Sequence, residues 1–184
     1  MPSRSNARLF WPVLALVAAL DVVTKALAVR FLVPQRVPHD VLGEGVRFTL
    51  VYNPGAAFGL SVGEASRWLF TGLTLVALVV LGRLYRATRV GDRWRTLALA
   101  LVCAGAIGNL IDRLRSDLGV VDFLDLGVGD LRWPTFNVAD MAVTAGAVLL
   151  AWALWQEDLA TARGAATSPA TTATDPTPDA GTFV

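Results

Sequence analysis

Apolar residues in this chain fall into four long blocks. The first runs from about Leu9 to Val33 and is interrupted by Asp21, Lys25 and Arg30. The second is Trp68 to Leu84, with Arg83 near its end, and the third is Thr96 to Ile111, with no charge. The fourth is Val138 to Gln156, with Asp140 its only charge. A spanning helix needs ~20 mostly apolar residues, and the blocks reach that length once their polar ends are counted. The predicted spans are therefore about 9–33, 67–85, 95–113 and 137–156. Any one block would suit a buried helix of a soluble protein; four blocks in 184 residues do not. The expected fold is mainly α and integral to the membrane, a single four-span domain over residues 1–160.

The segments between blocks carry their own patterns. In Val46–Tyr52, Val46, Phe48, Leu50 and Tyr52 alternate with Arg47, Thr49 and Val51. This period of two predicts a strand with one apolar face, a small β element between helices 1 and 2, and Asn53-Pro54-Gly55 then supplies a turn. The strand suits either an ordinary surface hairpin or a cover over a site. Segment 114–137 is acidic, with Asp117, Asp122, Asp125 and Asp130. Gly127-Val128-Gly129-Asp130 has the G-x-G-D form found on a membrane helix in one class of intramembrane aspartyl proteases. Here it lies in a short polar segment and reads as a Gly-Asp turn. Residues 161–184, rich in Ala, Thr, Pro and Asp without periodicity, read as a disordered tail.

Charge sets the orientation. The net charge is +1, so no bulk charge points to nucleic acid, but the arginines are unevenly placed. Arg4 and Arg8 precede the first block, and Arg83, Arg86, Arg89, Arg93 and Arg95 face a single acid, Asp92, between the second and third. With four spans these regions share a side, which the positive-inside rule makes cytoplasmic. Both termini and the tail then lie inside, and segments 34–66 and 114–137 lie outside. Leu9–Leu20 followed by Ala26-Leu27-Ala28 has the outline of a cleavable signal peptide. Asp21 and Lys25 argue against cleavage, so the first block is read as a retained span. One cysteine, Cys103, excludes an internal disulfide. With His39 the only histidine, a zinc site or a histidine-based triad lacks ligands and partners. No G-x-S-x-G and no phosphate-binding loop is present.

Ionisable groups inside a span cost ~2.5–3.5 kcal/mol each on insertion scales, so each calls for a reason. Asp21 and Lys25 are spaced i, i+4, acid first, the favourable helical order. A self-neutralising structural pair, with Lys25 snorkelling outward, is the plainer reading for them. Asn109, Asp112 and Arg113 share one face at the outer end of the third block, and Gly105 and Gly108 allow another helix to approach. They suit an interface grip and a functional site equally. Asn137 fits an N-cap with Asp140 three residues on, as in a capping box; an aspartate held at a helix amino terminus is also a credible base. Asp122 lies between Val121 and Phe123, and apolar surroundings raise a carboxyl pKa by desolvation. Two carboxyls in opposed environments suit an acid/base pair. A small transporter or proton channel using intramembrane carboxylates is the rival reading, and a non-catalytic adaptor a third.

Taken in order, Asp21-Val22-Val23-Thr24-Lys25, Asn53-Pro54-Gly55-Ala56-Ala57-Phe58-Gly59, Gly108-Asn109-Leu110-Ile111-Asp112-Arg113, Val120-Val121-Asp122-Phe123 and Phe136-Asn137-Val138-Ala139-Asp140 resemble the lipoprotein signal peptidase (signal peptidase II) family. The resemblance covers Asp21 to about Leu150. It implies an aspartyl endopeptidase of the bacterial cytoplasmic membrane, working near its outer face, that removes signal peptides from prolipoproteins by cutting before a diacylglyceryl-modified cysteine. It further implies Asp122 and Asp140 as the catalytic pair, with Asn53, Gly55, Asn109, Arg113 and Asn137 lining the site. Asp21, Lys25 and Asp112 match motif positions with a structural or supporting part. The expected partners are lipidated prolipoproteins and membrane lipid, with no nucleic acid, and the chain is read as a monomer. The inferred mechanism uses no metal or cofactor.

The arginine asymmetry generates a test. A membrane-impermeant thiol reagent applied from outside is expected to label Gly63→Cys and to miss Thr88→Cys; the reverse pattern inverts the topology.

Overall fold

The computed structural model describes residues 4–54 and 65–167. Four helices in it are long and apolar enough to cross a membrane. They are α1 (Arg4–Phe31), α2 (Ser66–Ala87), α3 (Arg93–Arg115) and α4 (Val138–Thr167). Between α1 and α2 lie β1 (Pro38–Leu42) and β2 (Val46–Asn53); between α3 and α4 lie β3 (Val120–Val128) and β4 (Leu131–Arg132). The strands form one antiparallel sheet in the order β1-β2-β3-β4. The chain connections place it at one end of the bundle, above the carboxyl ends of α1 and α3 and the amino ends of α2 and α4.

Helix α3 is the hub, packing against α1, α2 and α4. Its fully buried positions are small or aliphatic, including Ala98, Leu99, Ala100 and Ala104. The other helices turn Leu16, Val76 and Val148 outward, each about two-thirds exposed or more, as lipid-facing positions do. Glycine brings α3 and α4 together. A Cβ on Gly105 would strike the carbonyl oxygen of Ala139 and lie 2.8 Å from a methyl of Val143. One on Gly146 would lie 2.8 Å from the carbonyl of Ala98. Without hydrophobic drive between helices in lipid, such close backbone approach supplies the packing energy.

The period-two reading of Val46–Tyr52 matches β2. Phe48, Leu50 and Tyr52 join Val121 and Phe123 of β3 in a cluster against Ala28 of α1 and Leu32 just beyond it. The β element is larger than expected, because half of it comes from the acidic segment 114–137. Asp125 explains how that segment is held in a sheet. It accepts from Thr49 Oγ1 of β2 at 2.9 Å and pairs with Arg132 of β4 at 2.7 Å, so its charge ties three strands together. Gly129 and Asp130 form the β3–β4 turn, with Gly129 at φ 55°, as the Gly-Asp reading expects.

At the opposite end, Asn6 donates to the Arg89 carbonyl at 2.9 Å and accepts from Gly91 N–H at 3.0 Å, fastening α1 to the α2–α3 loop. Asp92 caps α3 by accepting from Arg95 N–H at 3.0 Å. Helix α4 continues seven residues beyond Ala160, where the tail was placed; residues 168–184 lie outside the described residues. So does Gly63, and Thr88 is buried at the end of α2, so Val90, 75% exposed, is the better probe of that loop.

The glycine contacts carry an expectation. Gly105→Ala should destabilise the protein by about 1–3 kcal/mol, the usual cost of overpacking, seen as a lower melting temperature in detergent. Gly72→Ala, where a Cβ meets open space, should be neutral or slightly stabilising, since alanine favours helix by up to ~1 kcal/mol. Equal behaviour of the two variants would count against close α3–α4 packing.

Candidate active site

The polar interior is built outward from Lys25. Its side chain does not snorkel; it is 3% exposed and turned into the bundle. Nζ lies 2.8 Å from Asp21 Oδ2, 2.9 Å from Asp112 Oδ2 and 2.8 Å from Asn109 Oδ1. An ammonium has three donors, and here three oxygens lie within 2.9 Å of it. The two carboxylates carry the connection further. Asp21 Oδ1 accepts from Ala139 N–H in the first turn of α4 at 2.8 Å, and Asp112 Oδ2 accepts from Val121 N–H of β3 at 3.2 Å. Asp21 fits because residue 108 is glycine: a Cβ there would strike its carboxylate.

Asn109 passes the order on. Its Oδ1 accepts from Lys25 and, at 3.1 Å, from Asn137, which leaves Nδ2 aimed at Asp140 Oδ1, 2.8 Å away. Asn137 and Asp140 form the reciprocal capping box. Asp140 N–H donates to Asn137 Oδ1 at 2.9 Å, and Asn137 N–H donates to Asp140 Oδ2 at 3.2 Å. The Asn137 side-chain amide is also 2.7 Å from Asp122 Oδ1. One buried residue therefore touches both aspartates, through its main-chain N–H and its amide. Asn53, at the end of β2, donates to the other oxygen of Asp122 at 3.3 Å.

The two carboxyls differ in surroundings. Asp122 is 3% exposed. Burial, followed by the charge of Asp140, raises its pKa from the ordinary 3.8 to about 7, against the pull of its bonds to Asn137 and Asn53. The direction matches the sequence reading, but the cause differs in part. Strand alternation sends Val121 and Phe123 into the cluster against α1, so Asp122 projects from the other face. It is desolvated by the site itself rather than by its neighbours in sequence. Asp140 borders a cavity of about 410 Å³ whose other walls include Trp133, Phe136, Met141 and Thr144. Met141 is 52% exposed on α4, so this aspartate adjoins a space that reaches the outer surface of the helices. Arg113 donates to the Asn109 carbonyl at 3.4 Å, lies 5.8 Å from the centre of the Phe70 ring, and interacts electrostatically with Asp140, Asp112 and Asp122.

This constellation draws on α1, α3, α4 and both central strands. A family model described as signal peptidase (SPase) II matches residues 13–156. The chain belongs to the signal peptidase II family. It is 44% identical over 153 residues to the lipoprotein signal peptidase of Mycolicibacterium smegmatis, covering 80% of this chain and 61% of that protein. The chain thus spans less than two-thirds of the length of that relative. With the Mycobacterium leprae lipoprotein signal peptidase it shares 43% over 158 residues, 82% of this chain and 72% of that one. With that of Moorella thermoacetica it shares 41% over 140 residues, 76% and 87% of the two chains. A bacterial membrane enzyme solved by the in meso method at 2.3 Å superposes with a TM-score of 0.70 at 29% identity, covering 79% of this chain and 87% of that one. Membership in the signal peptidase II family makes this a multi-pass bacterial membrane protein and decides against the transporter reading.

Within the signal peptidase II frame, the structure brings together Asp21, Lys25, Asn53, Asn109, Asp112, Arg113, Asp122, Asn137 and Asp140. Gly55 lies outside the described residues. The sequence reading missed the supports around the site. Arg67, at the start of α2, donates to the Arg113 carbonyl at 2.6 Å and pairs with Asp117. Gly119, at φ +100°, lets the chain pass directly against the backbone of Asn53 and Pro54. The Thr49–Asp125–Arg132 tie was missed as well. The available signal for that tie was the largely apolar run Val120–Val128 ahead of a Gly-Asp turn, which is a hairpin pattern.

The raised carboxyl of Asp122 generates an expectation about stability. The folded state holds this proton more tightly than the unfolded state. The resulting stabilisation is complete below about pH 4 and is lost as pH rises toward 7. In detergent melts, Asp122→Asn should therefore gain on the wild type as pH rises from 4 to 7, and the difference should level off above. A difference that does not change with pH would contradict a proton held at this site.

Proposed function

We propose that this chain is an aspartyl endopeptidase of the bacterial cytoplasmic membrane. In this reading it removes signal peptides from diacylglyceryl-modified prolipoproteins by cutting before the lipidated cysteine. Asp122 and Asp140 are its catalytic pair. The observation that carries the reading is Asn137 holding both carboxyls at once while their environments differ.

Asp140 accepts two hydrogen bonds in the first turn of α4, where a helix amino terminus stabilises negative charge. Asp122 is buried, with its pKa raised to about 7, so it keeps a proton to give. Adjacent like charges resist joint ionisation, so in this mechanism the pair shares one proton. The ionised member takes a proton from water as the water attacks the scissile carbonyl. The protonated member donates to the carbonyl oxygen as charge develops there. Arg113 adds a fixed positive charge beside the pair and, with Asn53 and Asn109, positions the peptide. Lys25, Asp21 and Asp112 hold the frame. No metal or cofactor takes part, and the chain acts as a monomer.

The cavity beside Asp140 supports a substrate that stays partly in lipid. An acyl chain can remain in the bilayer while the peptide reaches the aspartates, so the diacylglyceryl group serves as a positioning element. The arginine-rich end supports both termini in the cytoplasm and the aspartates at the outer face.

The test is cleavage of a lipidated precursor by purified protein, with detergent melts as the folding control. Asp122→Asn and Asp140→Asn should each stay folded and lose at least ~10²–10⁴ in rate, while Asp130→Asn and Asp125→Asn continue to cleave. Because Asp125 ties three strands, its variant should show a lower melting temperature rather than lost chemistry. The wild type should cut the unlipidated precursor far more slowly. Near-normal turnover by a folded Asp122→Asn or Asp140→Asn protein would remove the pair and leave the non-catalytic adaptor reading standing.

A further inference from the structure

The end of the bundle opposite the aspartates carries a cavity of its own. A cavity of about 500 Å³ opens between the amino termini of α1 and α3, lined by Ser5, Asn6, Arg8, Leu9, Arg93 and Thr96. Its floor is rigid. Asn6 and Thr96 are buried, and both are engaged: Asn6 by the Arg89 carbonyl and Gly91 N–H, Thr96 Oγ1 by the Asp92 carbonyl at 2.6 Å. Its walls are charged and unmatched. Arg8 and Arg93 are exposed, come from different helices and make no ion pair among the described residues. The acids nearby are committed elsewhere. Glu157 pairs with Arg89 at 3.1 Å and Arg95 at 3.3 Å, and Asp92 caps α3. Among the described residues the cavity therefore keeps two guanidinium groups with a serine hydroxyl beside them.

We propose that this cavity binds a phosphate group, that of an anionic phospholipid in the leaflet opposite the aspartates. Guanidinium forks match phosphate oxygens two at a time. The lipid source follows from the level of the site. Trp94, 55% exposed, packs edge-on against Trp152 with ring centres 5.6 Å apart, and Trp11 on α1 is 58% exposed. Tryptophans concentrate where a membrane meets water, so the two arginines lie at headgroup level. Bound there, the phosphate bridges α1 to α3, the two helices that Lys25 joins at the other end. This site is independent of the catalytic reading.

Thermal melts of the purified protein in neutral detergent test the proposal, with phosphatidylglycerol, phosphatidylcholine or inorganic phosphate added. Phosphatidylglycerol should raise the melting temperature of the wild type by roughly 5 °C at ~100-fold excess over its dissociation constant, and phosphatidylcholine by much less. Arg8→Gln/Arg93→Gln should lose most of the gain. Arg83→Gln/Arg86→Gln, which removes two exposed arginines of the same face from outside the cavity, should keep it. An equal gain in both double variants, or an equal loss, makes the attraction a diffuse property of the basic face and overturns the site. A gain from inorganic phosphate that disappears in Arg8→Gln/Arg93→Gln keeps the phosphate site and overturns its lipid source. No gain from either overturns both. Native mass spectrometry supplies a readout that does not depend on melting. The Arg8→Gln/Arg93→Gln protein should retain one phosphatidylglycerol fewer than the Arg83→Gln/Arg86→Gln control.

Discussion

A single ammonium group, placed where charge is costly, organises this protein. Taking Lys25 out of water carries a penalty of several kcal/mol, which only close and complete pairing can offset. Three oxygens surround the ammonium within 2.9 Å, which demands that α1 and α3 come together until Asp21, Asn109 and Asp112 converge. Asp21 in turn reaches the first turn of α4, and Asp112 reaches β3. Satisfying one charge thus fixes three helices and a strand relative to each other. The small residues of α3 follow from this demand, because a side chain at position 108 would occupy the space of the Asp21 carboxylate.

The same frame explains how two aspartates from distant parts of the chain acquire different characters. Asp140 belongs to a helix start, a feature written locally in Asn137 and the three residues after it. Asp122 belongs to a strand and depends on tertiary structure for its burial. Asn137 serves both, as a capping residue for one and a side-chain donor to the other. A residue that looks like ordinary helix punctuation is therefore also the joint between the two halves of the site.

Local patterns revealed the spans, the β2 alternation, the capping box and the Gly-Asp turn, because each rests on a period or a short-range bond visible over a few residues. What they concealed depends on long-range partners. The acidic look of segment 114–137 hid a strand, since Asp125 is tolerated there only through Thr49 and Arg132 in neighbouring strands. Lys25 near the end of an apolar block suggested an outward-reaching side chain. Its inward course depends on Asn109 and Asp112, more than eighty residues away. The motifs singled out the site residues that converge, but the part played by Gly108 emerges only once Asp21 is seen against it. The supports at Arg67 and Gly119 have no local signature of function.

Because Asn137 and Asp140 lie at the start of the last span, the order of synthesis matters. A nascent chain holding α1, α2, α3 and the sheet already contains Asp122 and Lys25, yet Asp21 lacks the Ala139 N–H it binds and Asp122 lacks its second carboxyl. The polar constellation is first complete when α4 has docked against the glycines of α3. With Asp122 and Asp140 as the proposed working pair, a chain stalled before α4 docks lacks one of the two carboxyls and is inert towards its neighbours.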